Sequence, residues 1–243
     1  MDEFDPAAGV MRPPAPQLMS APPTRLVLVR HGEAAANVDG RYSGSTDEPL
    51  TAHGAWQAAQ LAAALAPLPI TAVYSSPLRR AVATAEMIAV ALGMTVRIDA
   101  RLREAALGEW EGLSHAAVRA RSAADAELLA RWYTDPHCTP PGGESLHAVQ
   151  TRMLDLVRDL TAAFPGAWLA LVSHVGPIKG LIYAALQAPL PGVQHLWLDP
   201  ATVSVVDWSS HPVVRLVNAH GHLGWTTARW MRMDALAPAR PAG

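Results

Sequence analysis

Hydrophobic residues follow two alternating patterns along the chain, and each pattern predicts one kind of element. Short, continuous apolar runs predict buried strands at 24–30, 71–75, 95–98, 167–172, 202–208 and 213–218. Apolar residues three or four positions apart predict helices at 51–66, 77–93, 114–133, 146–164 and 178–186. Because strands and helices alternate over most of the chain, we predict an α/β fold, a three-layer α/β/α sandwich with a mostly parallel central sheet.

The two ends of the chain differ in composition from the part between them. Six prolines within the first 23 residues predict a disordered, proline-rich tail at 1–23, and a second tail is predicted at 223–243. The first tail lacks the apolar segment of a secretory signal, and no run reaches the ~18 apolar residues of a membrane span. We therefore expect one domain at 24–222 in a cytoplasmic protein that has no membrane partner.

Composition narrows the classes of partner. Half of the residues are hydrophobic, which suffices for a sizeable core, and the formal net charge is only −2. The 19 basic residues include a single lysine, Lys179, and form no basic stripe, which argues against a nucleic-acid partner. The single cysteine, Cys138, excludes an internal disulfide and a multi-cysteine zinc site. The sequence leaves a monomer and a homodimer open.

Two of the predicted strands end in a histidine. The strand at 24–30 runs into His31, and the strand at 167–172 is followed within two residues by His174. Ligands of open α/β sheets bind outside the carboxyl ends of the strands, so both histidines are expected at the same edge. A helix that begins near Val175 would add backbone amides that favour an anion. Together these strand ends predict an anion-binding site.

Two arginines strengthen that prediction. Arg30 precedes His31, and Arg80 lies at the start of the predicted helix at 77–93. A guanidinium group binds phosphate oxygens in a bidentate manner and stays charged at any working pH. Arg79 points about 100° away from Arg80 on the helix and is predicted to be a surface charge.

With these residues in place, the chain resembles the histidine phosphatases, also called the phosphoglycerate mutase-like superfamily, over roughly residues 24–218. The family hallmark is Arg-His-Gly-Glu after the first strand, here at 30–33. Further blocks follow in the family order: Asn37, 41–44, 47–51, 76–81, 102–104 with 108–112, 141–145 and 172–174. The resemblance implies the phosphoglycerate mutase-like form of the predicted sandwich.

The resemblance implies a catalytic role for five side chains. His31 would be the nucleophile that forms a phosphohistidine, since imidazole with a reference pKa of ~6.5 is neutral near pH 7. Arg30, Arg80 and His174 would surround the transferring group and offset the charge on its oxygens, so no metal and no cofactor is expected. Glu104 would give a proton to the leaving alcohol and later take one from water.

Four further residues are implied as substrate-binding. Asn37, Ser43 and Gly44 would donate or accept hydrogen bonds with the phosphate or the substrate body. Val175 stands where the family commonly has Gly, and its backbone amide can serve in the same way. Ala34 replaces a frequent Thr or Ser and removes one hydroxyl, so we expect an altered pocket wall and intact catalytic side chains.

Other carboxylates and histidines compete for roles in the site. Glu33 adjoins the nucleophile, but the family position is more often structural. Glu109 and Glu111 are interpreted as surface charges. His220 and His222, near the end of the last strand, are weaker candidates for the mouth of the site.

The resemblance also separates classes within the family. Cofactor-dependent mutases carry a long insertion with extra basic residues after the acid glutamate, and this chain has none, which favours a phosphomonoester hydrolase. The segment 172–179 is most similar to α-ribazole-phosphatase-like bacterial enzymes, a group that includes phosphatase domains fused to a ribonuclease H. With 23 residues before the first strand, we expect no ribonuclease domain. A small sugar, nucleotide-like or glycerate phosphate is the expected substrate. Phosphoglycerate mutase-type transfer and a catalytically silent binding module are the alternatives.

Overall fold

Six strands form the central sheet of the computed structural model. Residues 22–224 are described, together with a short antiparallel pair ahead of them, β1 (Phe4–Asp5) and β2 (Val10–Met11). The sheet strands are β3 (Thr24–Arg30), β4 (Ile70–Ser75), β5 (Val96–Ile98), β6 (Trp168–Ser173), β7 (Val203–Trp208) and β8 (Val213–Ala219). Their order is β5-β4-β6-β3-β7-β8. The first four strands are parallel to one another, β7 pairs antiparallel with β3, and β8 pairs antiparallel with β7. The predicted mostly parallel sheet is confirmed.

The predicted tails stay predictions, because nearly all of 1–23 and 223–243 lies outside the described residues. Within them the structure describes only β1, β2, Pro22–Pro23 and Leu223–Gly224. The predicted domain limits at 24 and 222 fall next to these ends.

Seven α-helices accompany the sheet within the described residues. They are α1 (Ala35–Asp39), α2 (Ala52–Leu65), α3 (Arg79–Leu92), α4 (His115–Arg121), α5 (Ala123–Trp132), α6 (Leu146–Ala163) and α7 (Val175–Ala185). Short 3₁₀ turns lie at Ala100–Leu102, Gly108–Trp110, Leu190–His195 and Gly221–Leu223. None of these helices combines the length and the apolar character that crossing a membrane requires.

Local signals explain where three helices begin. Thr51 caps α2, because its side-chain oxygen accepts a hydrogen bond from the Gly54 amide. The helix predicted over 114–133 is two helices, since Ser122 is extended and its Oγ accepts from the Asp125 amide to start α5. Helix α7 starts at Val175, which confirms the start expected after β6 and lies three residues before the bound of 178 that the apolar pattern predicted.

Side chains that alternate along β3 bury against two different layers. Leu26 and Leu28 pack against α6 and α7, whereas Val27 and Val29 pack against α2 and α3 on the opposite face. All four are at most 1% exposed, and each contributes roughly 1.5–3 kcal/mol by leaving water. The sheet is therefore covered on both faces, which confirms the predicted three layers.

A third apolar cluster lies beyond the carboxyl ends of the strands. Its centre is Trp110, which is fully buried and whose ring lies 5.9 Å from that of Trp132 and 6.4 Å from that of Tyr42. Val118 of α4 and Leu129 of α5 complete it. This cluster places α4, α5 and the segment around 42 over the edge of the sheet where the histidines lie.

Candidate active site

Three neighbouring parallel strands end at the same edge of the sheet. Arg30 at the end of β3 is paired with Ser173 of β6, and Ser75 at the end of β4 is paired with Val172. The residues that follow these strands are Ser76 after β4, His174 after β6 and His31 after β3. They therefore lie side by side at this edge. The rings of His31 and His174 lie 4.9 Å apart between centroids, at 58° to each other. The structure thus brings the two predicted histidines together.

The hydrogen bonds of His31 determine which ring nitrogen carries the proton and which has the free lone pair. Nδ1 lies 2.6 Å from the carbonyl oxygen of Gly32, which only accepts, so Nδ1 carries the proton. Nε2 is then unprotonated and accepts a hydrogen bond from Nε of Arg80 at 3.3 Å. Gly32 is held in turn by the hydroxyl of Thr84, to which its amide donates at 3.1 Å. The ring is fixed with Nε2 as its available base and nucleophile.

His174 is completely buried behind His31. Its Nε2 lies 2.8 Å from the hydroxyl of Ser76, the residue after β4. Its Nδ1 is buried and has no hydrogen-bond partner among the described residues. A buried ring nitrogen without a partner costs free energy unless a ligand meets it.

Burial and positive neighbours both favour the neutral imidazoles. Removal from water is the main cause that lowers the pKa of His31 well below its ordinary value, followed by the charges of Arg80 and Arg30. Burial likewise lowers the pKa of His174, with His31 and both arginines as further causes. Both rings are neutral at physiological pH.

The two predicted arginines are held by backbone carbonyls. Arg80 is 1% exposed, and its guanidinium donates to the carbonyl oxygens of Gly44 at 2.9 Å and Thr46 at 2.5 Å. Arg30 is 7% exposed and donates to the carbonyl of Leu198 at 2.5 Å. Arg80 forms no salt bridge with a carboxylate among residues 22–224. Both guanidinium groups stay positively charged at physiological pH, so they can meet an anionic ligand. Arg79, by contrast, is exposed, as predicted.

Glu104 lies against the beginning of α7. Its Oε1 accepts hydrogen bonds from the amides of Ala105 at 2.9 Å and Gly176 at 3.1 Å, while Oε2 has only a longer contact with Gly176 at 3.4 Å. Arg152 supports this position, because its guanidinium donates to the Glu104 carbonyl at 3.2 Å and pairs with Glu144 at 2.9 Å. The carboxyl group is thus held at the helix N-terminus, with Oε2 less engaged.

A cavity of about 320 Å³ lies above these residues. It is lined by all of the predicted catalytic and substrate-binding residues except His174: Arg30, His31, Asn37, Ser43, Gly44, Arg80, Glu104 and Val175. We call Arg30, His31 and Arg80, together with His174 buried directly behind His31, the floor of the cavity. We call Trp132, Lys179 and Trp197, which also line it, the outer wall.

The predicted substrate-binding residues differ in the contacts that they make within the protein. Asn37 uses its Oδ1 to accept from the amide of Ala34 at 2.9 Å, which starts α1 in place of the missing hydroxyl. The Ser43 hydroxyl is buried and has no hydrogen-bond partner among the described residues. Gly44 has a φ of +48°, and a side chain there would collide with Glu111.

The competing residues lie outside the cavity. The carboxylate of Glu33 accepts from the Thr51 hydroxyl at 2.9 Å, which is a structural role. Glu109 is an exposed partner of Arg121, as interpreted. The interpretation of Glu111 as a surface charge is wrong, because this half-buried carboxylate accepts from the amides of Ser45 at 2.8 Å and Leu107 at 3.0 Å and so holds the loop of Gly44.

The weaker histidine candidates do not line the cavity. His222 contacts the carbonyl of Ala201 at 2.8 Å, and His220 contacts that of Asn218 at 3.2 Å. Both histidines near the last strand thus contact backbone carbonyl groups. Within residues 22–224, no three His, Cys, Asp or Glu side chains form a group suited to a metal ion.

Sequence reasoning missed the residues that support the floor and those of the outer wall. Ser76 and Thr84 belong to the motif at 76–81 and the helix after it, so their hydroxyls next to the histidines had a local signal. Lys179 had only its rarity as a signal. Trp132 and Trp197 had none, because apolar residues on a helix and in a loop are typical of any core.

Comparison with known proteins gives consistent matches. The family model of the histidine phosphatase superfamily (branch 1) matches residues 26–220. A bifunctional protein of Mycobacterium tuberculosis is 41% identical over 204 residues, which are 83% of this chain and 55% of that protein. This chain therefore spans about half the length of that relative.

Two of the similar proteins are named as phosphatases. An adenosylcobalamin/alpha-ribazole phosphatase of Escherichia coli is 34% identical over 184 residues, 75% of this chain and 89% of that protein. The solved structure of a mycobacterial glucosyl-3-phosphoglycerate phosphatase in complex with VO3 has a TM-score of 0.74 and 34% identity, and the match covers 81% of this chain and 100% of that one.

Proposed function

The chain belongs to the histidine phosphatase superfamily, and from this premise we propose that it hydrolyses phosphomonoesters of small metabolites through a phosphohistidine on His31. The observation that carries the proposal is the tautomer of His31. Its Nδ1–H donates to the Gly32 carbonyl, so the Nε2 lone pair lies beside Arg80 at the floor of the cavity. A neutral imidazole in a positively charged, buried floor is suited to attack phosphorus.

In the first step, His31 Nε2 forms a bond to phosphorus and the bond from phosphorus to the ester oxygen breaks. With the phosphomonoester bound, Glu104 carries a proton, gives it to that oxygen, and the alcohol leaves. Arg30, Arg80 and the unpartnered Nδ1 of His174 offset the charge that develops on the phosphoryl oxygens. The two fixed guanidinium charges and the imidazole of His174 supply the stabilisation that a metal ion supplies elsewhere, so the proposed reaction is independent of metal.

In the second step, water attacks the phosphohistidine and the nitrogen–phosphorus bond breaks. Glu104, now ionised, takes a proton from that water, and Oε2 is the oxygen with the weaker backbone contact. Inorganic phosphate leaves, His31 regains its Nε2 lone pair, and Glu104 is again protonated. The two steps together consume one ester and one water.

The test is phosphate release from p-nitrophenyl phosphate in excess chelator, with a search for the intermediate. We expect activity in chelator, and we expect a His31→Asn variant to lose at least about 10⁴-fold in kcat. Mixing with substrate and quenching in alkaline detergent should add the mass of one phosphoryl group to the wild type and none to His31→Asn. The control is His147→Asn, the same change at an exposed histidine outside the cavity.

Three results would overturn the proposal. They are full activity in His31→Asn, complete dependence on added metal, and transfer of the phosphoryl group to a second phosphoglycerate hydroxyl faster than to water. The last result would identify a mutase.

A further inference from the structure

Lys179 is the single lysine of the chain and is buried in the outer wall of the cavity. It lies on α7 and is only 8% exposed. The structure gives its ammonium group no hydrogen bond and no ion pair with any residue in 22–224. An ammonium that is removed from water without a partner is costly, and such groups in cavities are typical of ligand contacts.

The surroundings of Lys179 combine burial with opposing charges. The charged groups that face it are Arg30 at the end of β3 and Glu104 beside the start of α7. The pKa of Lys179 is lowered to about 8, mainly by burial and also by the charge of Arg30, whereas Glu104 acts in the opposite direction. Glu104 accepts hydrogen bonds from the Ala105 and Gly176 amides, so it does not neutralise Lys179 by direct pairing.

The position of Lys179 on α7 directs it into the cavity. Lys179 follows Val175 by four residues, so the two share one face of the helix, and both line the cavity. Side chains on a helix lean toward its N-terminus, which here is the catalytic edge of the sheet. The other two residues of the outer wall are Trp132 and Trp197. Lys179 is thus the cation of a largely apolar wall.

We propose that Lys179 is a specificity-determining residue that binds a second anionic group, a carboxylate or a phosphate, on the leaving-group part of the substrate. This inference rests on the proposed function, in which Arg30, Arg80 and His174 meet the oxygens of the transferred phosphoryl group. Lys179 then remains for a different group of the same molecule. A bound anion would supply the partner that the ammonium lacks.

The first test compares substrates that differ by one anionic group. The pairs are 3-phosphoglycerate against glycerol 3-phosphate for a carboxylate, and glucose 1,6-bisphosphate against glucose 6-phosphate for a phosphate. In Lys179→Met, we expect the ratio of kcat/KM values within one pair to fall about tenfold to a hundredfold, mainly through KM. The pair that responds identifies the anion.

The matched control is Arg79→Met, which removes one positive charge near the cavity from an exposed side chain. Its ratios are expected to match those of the wild type. An equal loss on both members of each pair in Lys179→Met would overturn the inference, since Lys179 would then act on the transferred phosphoryl group or through Glu104. Unchanged ratios would also overturn it.

The second test uses the fact that the chain has one lysine. Protein labelled with ¹³C and ¹⁵N lysine gives a single set of side-chain signals, which report Lys179 directly by NMR. In His31→Asn, which prevents turnover, we expect 3-phosphoglycerate or glucose 1,6-bisphosphate to shift the signal and to raise its titration midpoint by about one pH unit. Glycerol 3-phosphate and glucose 6-phosphate, which carry one anionic group each, should leave the titration midpoint of Lys179 nearly unchanged.

The two tests keep the inference apart from the proposed function. If the wild type hydrolyses no phosphomonoester, the proposed function fails, while the NMR titration still reports whether Lys179 meets a second anion. If the wild type is active and the Lys179 signal does not respond to any of the four compounds, only the inference fails.

Discussion

The floor and the outer wall of the cavity are built from side chains that are held in different ways. On the floor, both nitrogens of His31 are engaged, and Arg80 binds two carbonyl oxygens as well as His31. On the outer wall, Lys179 has no partner in 22–224, and Trp197 is 49% exposed. Under the proposed function, the chemistry depends on side chains that hydrogen bonds hold in place, whereas the choice of substrate depends on Lys179, whose ammonium no described residue binds.

Replacement of Arg80 on the floor is expected to cause the largest loss of activity. We expect Arg80→Met to lower kcat/KM for p-nitrophenyl phosphate by about 10³-fold or more. The variant lacks the positive charge beside the transferred phosphoryl group, and it lacks the hydrogen bond that Arg80 donates to His31 Nε2. Arg80→Lys keeps a charge without the planar fork and should fall between the two. Steady-state kinetics with parallel thermal unfolding would measure this.

The neighbouring Arg79→Met is the control for Arg80 and should stay within about twofold of the wild type, since an exposed charge contributes little. Should Arg80→Met keep activity within about tenfold while folded, the floor would not depend on this guanidinium.

Glu104 lies between the floor and the wall, and its replacement separates the two steps. We expect Glu104→Gln to lower kcat by about 10²- to 10⁴-fold for an alkyl phosphate, whose leaving group needs a proton. The loss for the first step with p-nitrophenyl phosphate should be smaller, because nitrophenolate leaves without one. Burst kinetics with both substrates would measure this.

Glu33→Gln is the matched change for Glu104, since Glu33 adjoins His31 but binds Thr51. It should affect both leaving groups to the same small extent. An identical loss for both leaving groups in Glu104→Gln would remove Glu104 from the acid role.

The buried ammonium of Lys179 on the outer wall also affects the stability of the fold. A pKa lowered from 10.5 to about 8 in the folded state costs about 3 kcal/mol of unfolding free energy at neutral pH, so Lys179→Met should be more stable by about that amount. The cost is full below about pH 8 and disappears as pH rises to 10.5, because both states are then neutral. The advantage of Lys179→Met should therefore shrink over that range.

Urea unfolding of wild type and Lys179→Met at several pH values would measure that difference. Arg79→Met, which removes an exposed charge, should show no comparable gain. A Lys179→Met variant that is less stable than the wild type at pH 7 would show that the ammonium has a stabilising partner.

The smallest expected effect concerns the floor histidines at low pH. Because the folded pKa of His31 is lowered well below 6.5, the unfolded chain binds a proton there first, and stability is lost as pH falls through 6.5. Between pH 6.5 and 5.5 this histidine should account for about 1 kcal/mol, which His31→Asn should remove. Urea unfolding at both pH values measures it, and an equal pH dependence in the variant would contradict the neutral, buried state of His31.

The floor could be predicted from the sequence because strand ends and motifs are local. Continuous apolar runs locate β3 and β6, and a histidine directly after each run must lie at their common edge. The motif that contains Arg80 also starts a helix, so its exposed neighbour Arg79 could be told apart. The antiparallel pairing of β7 with β8 had a signal in their short connection at 209–212, since parallel strands need a longer crossover.

The outer wall could not be predicted, because its burial depends on distant segments. The turn Leu190–His195 packs against α7, the helix of Lys179, and Trp197 lines the same cavity from further along the chain. Glu111 was misjudged for the same reason: its partners Ser45 and Leu107 lie on two other loops. Helix α1 was not predicted, since five residues are too few to show a helical period.

The place of β3 in the sheet has a consequence for how the chain folds. Both of its neighbours, β6 and β7, come from the second half of the sequence, beginning at Trp168 and Val203. During synthesis the apolar strand Thr24–Arg30 therefore waits without hydrogen-bonded neighbours until more than two thirds of the chain has left the ribosome. Such a strand is open to pairing with other chains, so nascent protein should depend on chaperones and refolding should slow with concentration. The same strand order means that no shortened chain ending before β6 can assemble the catalytic edge.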